Sequence, residues 1–197
     1  VGELQKVVTE RSSQGDHHVW DDAWSQSLTP WDAQEAQPGL LWALNYPEIA
    51  KHLPKGGKAL VAGCGRGYDA EQLAKAGYSP SIGVDISPIA VAKAKEWFAA
   101  KGDQSVKKAV QFFEADFFKL GTSEGNLAVG TDVTVAYDYT FFCALPPSFR
   151  SMWADIYSKV IKADGVLICM VYPIHGDRPG GPPYSVSPQM YKDLLSS

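Results

Sequence analysis

Hydrophobic residues fall in this chain as short apolar runs separated by longer stretches in which they recur three and four positions apart. The runs at 58–62, 81–84, 110–114, 133–136 and 166–172 have strand length. The stretch at 68–76 has helical composition, and another opens at Ser87-Pro88, an N-cap followed by proline at the first helical position. That second helix carries Ala90, Ala94 and Phe98 on one face and stops at Gly102. A third, at 148–162, places Trp153, Ile156, Tyr157 and Val160 at core spacing and is expected to stop at Asp164-Gly165. Upstream, 38–53 predicts a helix carrying Leu40, Leu41, Leu44 and Ile49, which Pro47 kinks or splits, and Ser187 or Ser185 opens a last one. Strands alternating with helices predict an α/β fold with a doubly wound, mostly parallel sheet in a single domain over 1–197. The run at 166–172 has the composition of a strand buried on both faces of such a sheet.

In a sheet of this kind ligands gather at the carboxyl ends of the strands, so the residues there carry the chemistry. After the first strand comes Gly63-Cys64-Gly65-Arg66-Gly67, and the second strand ends in Asp85, about 20 residues past the turn. Glycine suits a turn whose backbone angles exclude side chains and whose ligand lies almost on the main chain. An acid at that distance suits a ribose, whose paired hydroxyls both donate to one carboxylate. A dinucleotide fingerprint would put its third glycine at the position of Tyr68; here it is Gly67, the spacing associated with S-adenosylmethionine, which disfavours a nicotinamide oxidoreductase. The third strand ends at Asp116-Phe117, where a carboxylate can accept from an adenine amino group while the phenyl ring packs on the base; the bland alternative is that Asp116 merely caps the next turn of the chain. The fourth ends at Asp138-Tyr139 and the fifth at Tyr172.

Composition narrows the partners. A formal charge of -4 without a basic cluster argues against a nucleic-acid surface, and nothing approaches a membrane-spanning apolar run. Three cysteines without paired spacing predict reduced thiols, no disulfide framework and a cytoplasmic setting, and Cys64 reads as a small residue filling a tight turn. No Cys or His pair has zinc spacing, so no metal is expected. A small-molecule substrate and a monomer are the working expectations. Because the first residue is Val1, the natural start is expected to lie upstream.

The N-terminal region splits into a polar arm over 1–15 and a tryptophan-rich segment over 16–37. Trp20 and Trp24 share a helical face, with Trp31 close behind, yet their neighbours are Asp21, Asp22, Ser25 and Gln26 rather than aliphatic residues. That pattern predicts a lid over a ligand more than a stripe docked on a core.

Taken together, these motifs resemble a class I S-adenosylmethionine-dependent methyltransferase. The three tryptophans, the run Leu60-Val61-Ala62-Gly63-Cys64-Gly65, Ala115-Asp116-Phe117-Phe118, the aromatic segment from Asp138 to Ala144, Met170-Val171-Tyr172-Pro173 and Gly180-Gly181-Pro182-Pro183-Tyr184 are similar to the thiopurine methyltransferase superfamily, closest to its thiol and halide (thiocyanate) branch. The resemblance implies that Trp20, Trp24, Trp31, Gly63, Gly65, Asp85, Ile86, Asp116, Phe117 and Tyr139 contact the cofactor, and that the acceptor is a small soft nucleophile. An aryl or heterocyclic thiol, or cofactor binding without catalysis, are the alternatives. Val61 stands where many class I enzymes carry an acid for the methionine amino group. Indole faces attract a sulfonium and exclude water from the methyl. Tyr172 is the expected catalytic residue, orienting or donating to the nucleophile; the alternative is a core tyrosine bonded to a carbonyl. The family's sheet ordinarily finishes with two further strands after the last helix, which this chain stops short of.

Overall fold

The computed structural model describes residues 11, 16, 18–126 and 128–196; apart from Arg11, the polar arm lies outside them. Five strands form one sheet in the order β3-β2-β1-β4-β5, every pair parallel: β1 Lys58–Ala62, β2 Ser81–Asp85, β3 Val110–Glu114, β4 Val133–Tyr139 and β5 Ile161–Met170. The helices are α1 His18–Ser25, α2 Pro38–Asn45, α3 Pro47–Ala50, α4 Tyr68–Lys75, α5 Pro88–Lys101, α6 Arg150–Val160 and α7 Pro188–Leu195.

Alternation along the strands fills two cores. Leu60, Ala62, Ile82, Val84 and Ala136 face Trp153, Ile156, Tyr157 and Val160 of α6 and Tyr191 of α7. Ala59, Val61, Val135 and Tyr137 face Leu40 of α2, Leu73 of α4 and Val91, Ala94 and Phe98 of α5. Helices on both faces of a parallel sheet make it doubly wound, as the alternating pattern predicts. Strand order reverses between β1 and β4, so the crevice at their carboxyl ends is the switch point where such folds take ligands.

The expected helix at 38–53 divides into α2 and α3 at Tyr46, whose ψ of 116° is the extended conformation imposed on a residue preceding proline. Ser87 and Ser187 cap α5 and α7 as expected, accepting from Ala90 N and Met190 N. Asp164-Gly165 is not a helix stop. α6 ends at Val160 and β5 starts at once, with Asp164-Gly165 in a bulge where the β4 register slips between Val133 and Val135. A Cβ on Gly165 would stand 2.9 Å from Val133 O, so the pair marks a close backbone approach. β5 is also not buried on both faces: with β4 on one side and no further described strand on the other, its residues are half-buried or exposed. The strand ends at Met170, leaving Tyr172 beyond it.

Candidate active site

The glycine turn hangs on the sheet through Cys64 N, which donates to Val84 O at 2.9 Å. Gly63 and Gly65 hold φ of +57° and +51°, a region costly to side chains. A Cβ on Gly63 would meet the Phe141 ring at 2.7 Å, and one on Gly65 would meet the Trp24 indole at 3.3 Å. The turn is therefore a cradle whose main chain is bare toward the crevice. Gly65 N donates to Asp85 Oδ2 and Ser87 N to Asp85 Oδ1, both at 3.0 Å, tying the end of β2 to the turn. Burial pushes the Asp85 carboxyl up to about 6 against the pull of these amides, with Asp21 adding to the rise.

Two cavities flank Asp85, one beside each neighbouring strand end. The first, about 50 Å³, has walls from Trp24, Trp31, Gly63, Gly65, Asp69, Tyr137, Tyr139 and Thr140, among others. The second, about 420 Å³ and open, runs along Ile86, Glu114, Ala115, Asp116, Gly125 and Asn126. The second lies in the size range of small-molecule sites. A nucleoside with an aminoacyl tail would divide in this way, with its base beside Ile86 and Asp116, its ribose hydroxyls toward Asp85 and its tail over the glycine turn. The residues present fit S-adenosylmethionine on that test.

The tryptophan segment covers the first cavity. Ser87 Oγ donates to Asp21 Oδ1 at 2.5 Å, pinning α1 over the N-terminus of α5. Trp24 is buried and meets Trp31 edge-to-face at 6.4 Å, both rings on the cavity wall, while Trp20 packs behind Trp31 at 5.6 Å. The Arg66 guanidinium lies 5.6 Å from the Trp24 ring centroid and pairs with Asp32 at 2.5 Å, so that indole already holds one cation. At the far wall Thr140 has φ of +59°, a rare conformation for a β-branched residue.

The structure thus puts Trp24, Trp31, Gly63, Gly65 and Tyr139 on the first cavity and Ile86 and Asp116 on the second, with Asp85 buried at the end of β2 and bonded to the glycine turn. It places others elsewhere. The Phe117 ring is buried against Phe118, Phe141 and Tyr157 instead of facing a cavity, because the turn after β3 folds it into the α6 core. Asp116 lines the second cavity and also caps that turn, accepting from Phe118 N at 2.9 Å. Asp138 is no part of the site. Alternation along β4 sends Tyr137 and Tyr139 to the crevice side and Asp138 to the opposite core, where it accepts from Trp153 Nε1 at 2.7 Å, Phe142 N at 3.0 Å and Tyr157 OH at 3.3 Å. Tyr172, about 49% exposed, is no core residue; its ring centroid lies 6.4 Å from that of Tyr139 at the rim.

Sequence reasoning passes over Asp32, Arg66, Asp69 and Tyr137. An acid in the first turn of a helix, as Asp69 is, reads as ordinary dipole compensation. The pairing of Arg66 with Asp32 spans 34 positions and leaves no local pattern. Among the described residues no cluster of side chains could hold a metal ion, and no helix is long and apolar enough to cross a membrane.

Comparison with known proteins gives the arrangement its family. The model of the thiopurine S-methyltransferase family matches residues 15–197. The chain is 35% identical over 195 residues to probable thiol methyltransferase 2 of Arabidopsis thaliana, covering 98% of this chain and 76% of that protein. It is also 35% identical over 196 residues to thiocyanate methyltransferase 1 of Brassica oleracea, with the same coverage of 98% and 76%. In fold it is similar to magnesium protoporphyrin IX methyltransferase from Synechocystis PCC 6803, solved with bound S-adenosylmethionine, at a TM-score of 0.60 and 15% identity over 98% of this chain and 84% of that one. With the family model covering the tryptophan segment, the glycine turn and all five strand ends, and thiol and thiocyanate methyltransferases matching along nearly the whole length, the chain belongs to the thiopurine S-methyltransferase family.

Proposed function

We propose that this protein transfers the methyl group of S-adenosylmethionine to a small soft nucleophile: a thiol, hydrosulfide, thiocyanate or halide. The observation that carries the reading is the cavity at the β1/β4 switch point, where a bare glycine turn, two indoles and Tyr139 enclose the place a methyl donor would present its group. The cofactor, when bound, supplies an electrophilic methyl on a positively charged sulfur. The chain's own part is alignment and exclusion of water, and positioning of this kind is worth on the order of 7–11 kcal/mol. Gly63 and Gly65 admit the ligand to the main chain, Asp85 accepts from the ribose, Ile86 and Asp116 flank the base, and Trp24 and Trp31 close the roof. A thiol with a pKa of about 8.5 is already partly ionised near neutrality, so the site has little need of a strong base.

The protein's own thiols are poor competitors for the methyl. Burial pushes Cys64 well up, Cys143 to about 12 and Cys169 further, which keeps all three protonated and inert. In purified enzyme given S-adenosylmethionine alone, mass spectrometry is expected to find Cys64, Cys143 and Cys169 unmethylated.

The test of function is a panel of hydrosulfide, iodide, thiocyanate and aryl thiols, read by S-adenosylhomocysteine release and headspace detection of methylated volatiles. Turnover on the small anions exceeding that on aryl thiols is expected. The half-exposed Tyr172 beside Tyr139 favours a second reading, an acceptor with a flat ring, and the reverse ranking would establish it. Binding without turnover on any nucleophile would leave a cofactor-binding protein.

Tyr172 is proposed to orient the nucleophile at the rim. One neutral hydrogen bond in the transition state is worth about 0.5–1.5 kcal/mol, so Tyr172→Phe is expected to lower kcat about threefold to tenfold without changing S-adenosylhomocysteine affinity. Unaltered turnover on both thiols and halides removes it from the mechanism.

A further inference from the structure

On the proposed reading, the crevice takes up a cation and releases a neutral molecule, because S-adenosylmethionine and S-adenosylhomocysteine differ by one methyl and one positive charge. The charges already fixed on the cavity wall bear on that difference. Among the described residues lining the first cavity, Arg66 is the one cation. It follows Gly65 in the glycine turn, and its guanidinium lies 5.6 Å from the Trp24 ring centroid. One of the indole faces that would attract a sulfonium is therefore already engaged by a cation of the protein.

Geometry holds that charge in place and compensates it. Arg66 Nε donates to Asp32 Oδ2 at 2.5 Å, and Gln34 N donates to Asp32 Oδ1 at 3.0 Å. The Asp32 side chain is only 6% exposed and that of Arg66 30%, so the pair escapes much of the solvent screening that makes surface ion pairs weak. The other acids on the wall are differently placed: Glu35 is exposed, and Asp69 accepts from Gln37 N at 2.9 Å. With Asp32 ionised beside it, Arg66 presents little net charge to the cavity. Without that partner, the same guanidinium would repel a sulfonium and leave a neutral thioether unaffected.

We propose that Asp32 and Arg66 set the preference of the crevice between the cationic methyl donor and its neutral demethylated product, with Asp32 as the counter-ion that lets the donor approach Arg66. The assignment rests on the proposed reading of the crevice as an S-adenosylmethionine site. It makes the two specificity-determining residues, which act through the electric field at the ligand's sulfur.

Calorimetric titration of the wild type, Asp32→Asn, Arg66→Gln and the double variant with S-adenosylmethionine and S-adenosylhomocysteine tests it. The readout is the ratio of the two dissociation constants within each protein, from which a loss of folded protein or a displaced tryptophan segment cancels, since either weakens both ligands together. Two unit charges about 10 Å apart at an effective dielectric of about 20 interact strongly enough to change an affinity about tenfold. Asp32→Asn keeps an acceptor for Gln34 N and is expected to shift the ratio about tenfold in favour of S-adenosylhomocysteine. Arg66→Gln leaves the Asp32 charge uncompensated and frees the Trp24 face, and is expected to shift the ratio about tenfold in favour of S-adenosylmethionine. The double variant restores neutrality and is expected to return the ratio to within about fivefold of the wild type, the residue being the freed indole face. Equal weakening of both ligands in the single variants, or a ratio that stays where it is, overturns the assignment with the site itself intact. A wild type that binds neither ligand overturns the site reading and the assignment with it.

Discussion

Asp85→Ala is expected to weaken S-adenosylhomocysteine binding by about 100-fold or more. The carboxylate stands at the end of β2 between the two cavities and accepts Gly65 N and Ser87 N on different oxygens, which leaves each oxygen capacity for one further donor. Two ribose hydroxyls are proposed to fill that capacity, and hydrogen bonds to a charged group contribute about 1.5–3 kcal/mol each, so their joint loss is worth roughly two to four powers of ten. The substitution also releases the glycine turn from its anchor, and the ligand-free unfolding midpoint separates that effect from lost ligand contacts. Asp85→Asn, which keeps the shape and loses the charge, should fall between wild type and alanine.

The same geometry makes binding depend on pH. Burial holds Asp85 up to about 6, and only the ionised form offers both oxygens as acceptors to ligand hydroxyls. Affinity is therefore expected to fall as pH is lowered from 7 to 5, with a proton taken up when the ligand leaves. The groups facing Asp85 are Asp21 from α1, Ser87 from the start of α5, and the Gly65 and Ile86 amides. Asp21 opposes ionisation of Asp85. Asp69, on the wall of the first cavity, is also raised to about 6 by burial. Asp85→Asn is expected to remove this dependence, and calorimetry across the range reads it.

The framework of the fold is legible in the sequence because its signals are local. Apolar runs at 58–62 and 81–84, the glycine turn and the Ser87-Pro88 cap each depend on neighbours within a few residues, and each stands where the pattern puts it. The features that escape depend on which side of the sheet a residue faces or on partners far along the chain. Asp138 and Tyr139 are adjacent in sequence, and both read as strand-end chemistry. The pleat puts one in the core under α6 and the other on the crevice. Asp164-Gly165 has turn composition, but the continuing ladder to β4 absorbs it as a bulge, because tertiary pairing outweighs local turn preference. Phe117 adjoins the correct aspartate and still turns inward, drawn by Phe141 and Tyr157. The polar wall made by Asp32, Arg66, Asp69 and Tyr137 is assembled from four elements and has no motif of its own.

Asp138→Ala is expected to destabilise the ligand-free protein by about 3 kcal/mol or more, without touching the crevice. It strands three buried donors, Trp153 Nε1, Tyr157 OH and Phe142 N, and each unsatisfied group costs about 1–3 kcal/mol, offset in part by relief of the carboxylate's own desolvation. Urea unfolding should show a lower midpoint with an unchanged slope. The sign of the pH effect distinguishes Asp138 from Asp85. Burial raises Asp138 to about 6, against about 3.9 in an unfolded chain, so the folded state holds its proton longer. Its contribution is fully present below about pH 4 and is lost as pH rises toward 6, a change of about 3 kcal/mol. Asp85 behaves alike in the ligand-free protein, but saturating S-adenosylhomocysteine favours its ionised form and shrinks or reverses its share. Asp138 lies across the sheet from the ligand, and its share persists. Stability measured from pH 4 to 7 should therefore lose one falling component in Asp138→Asn, by the same amount with and without ligand. If that component survives Asp138→Asn, the buried carboxylate holding α6 to β4 is not its source.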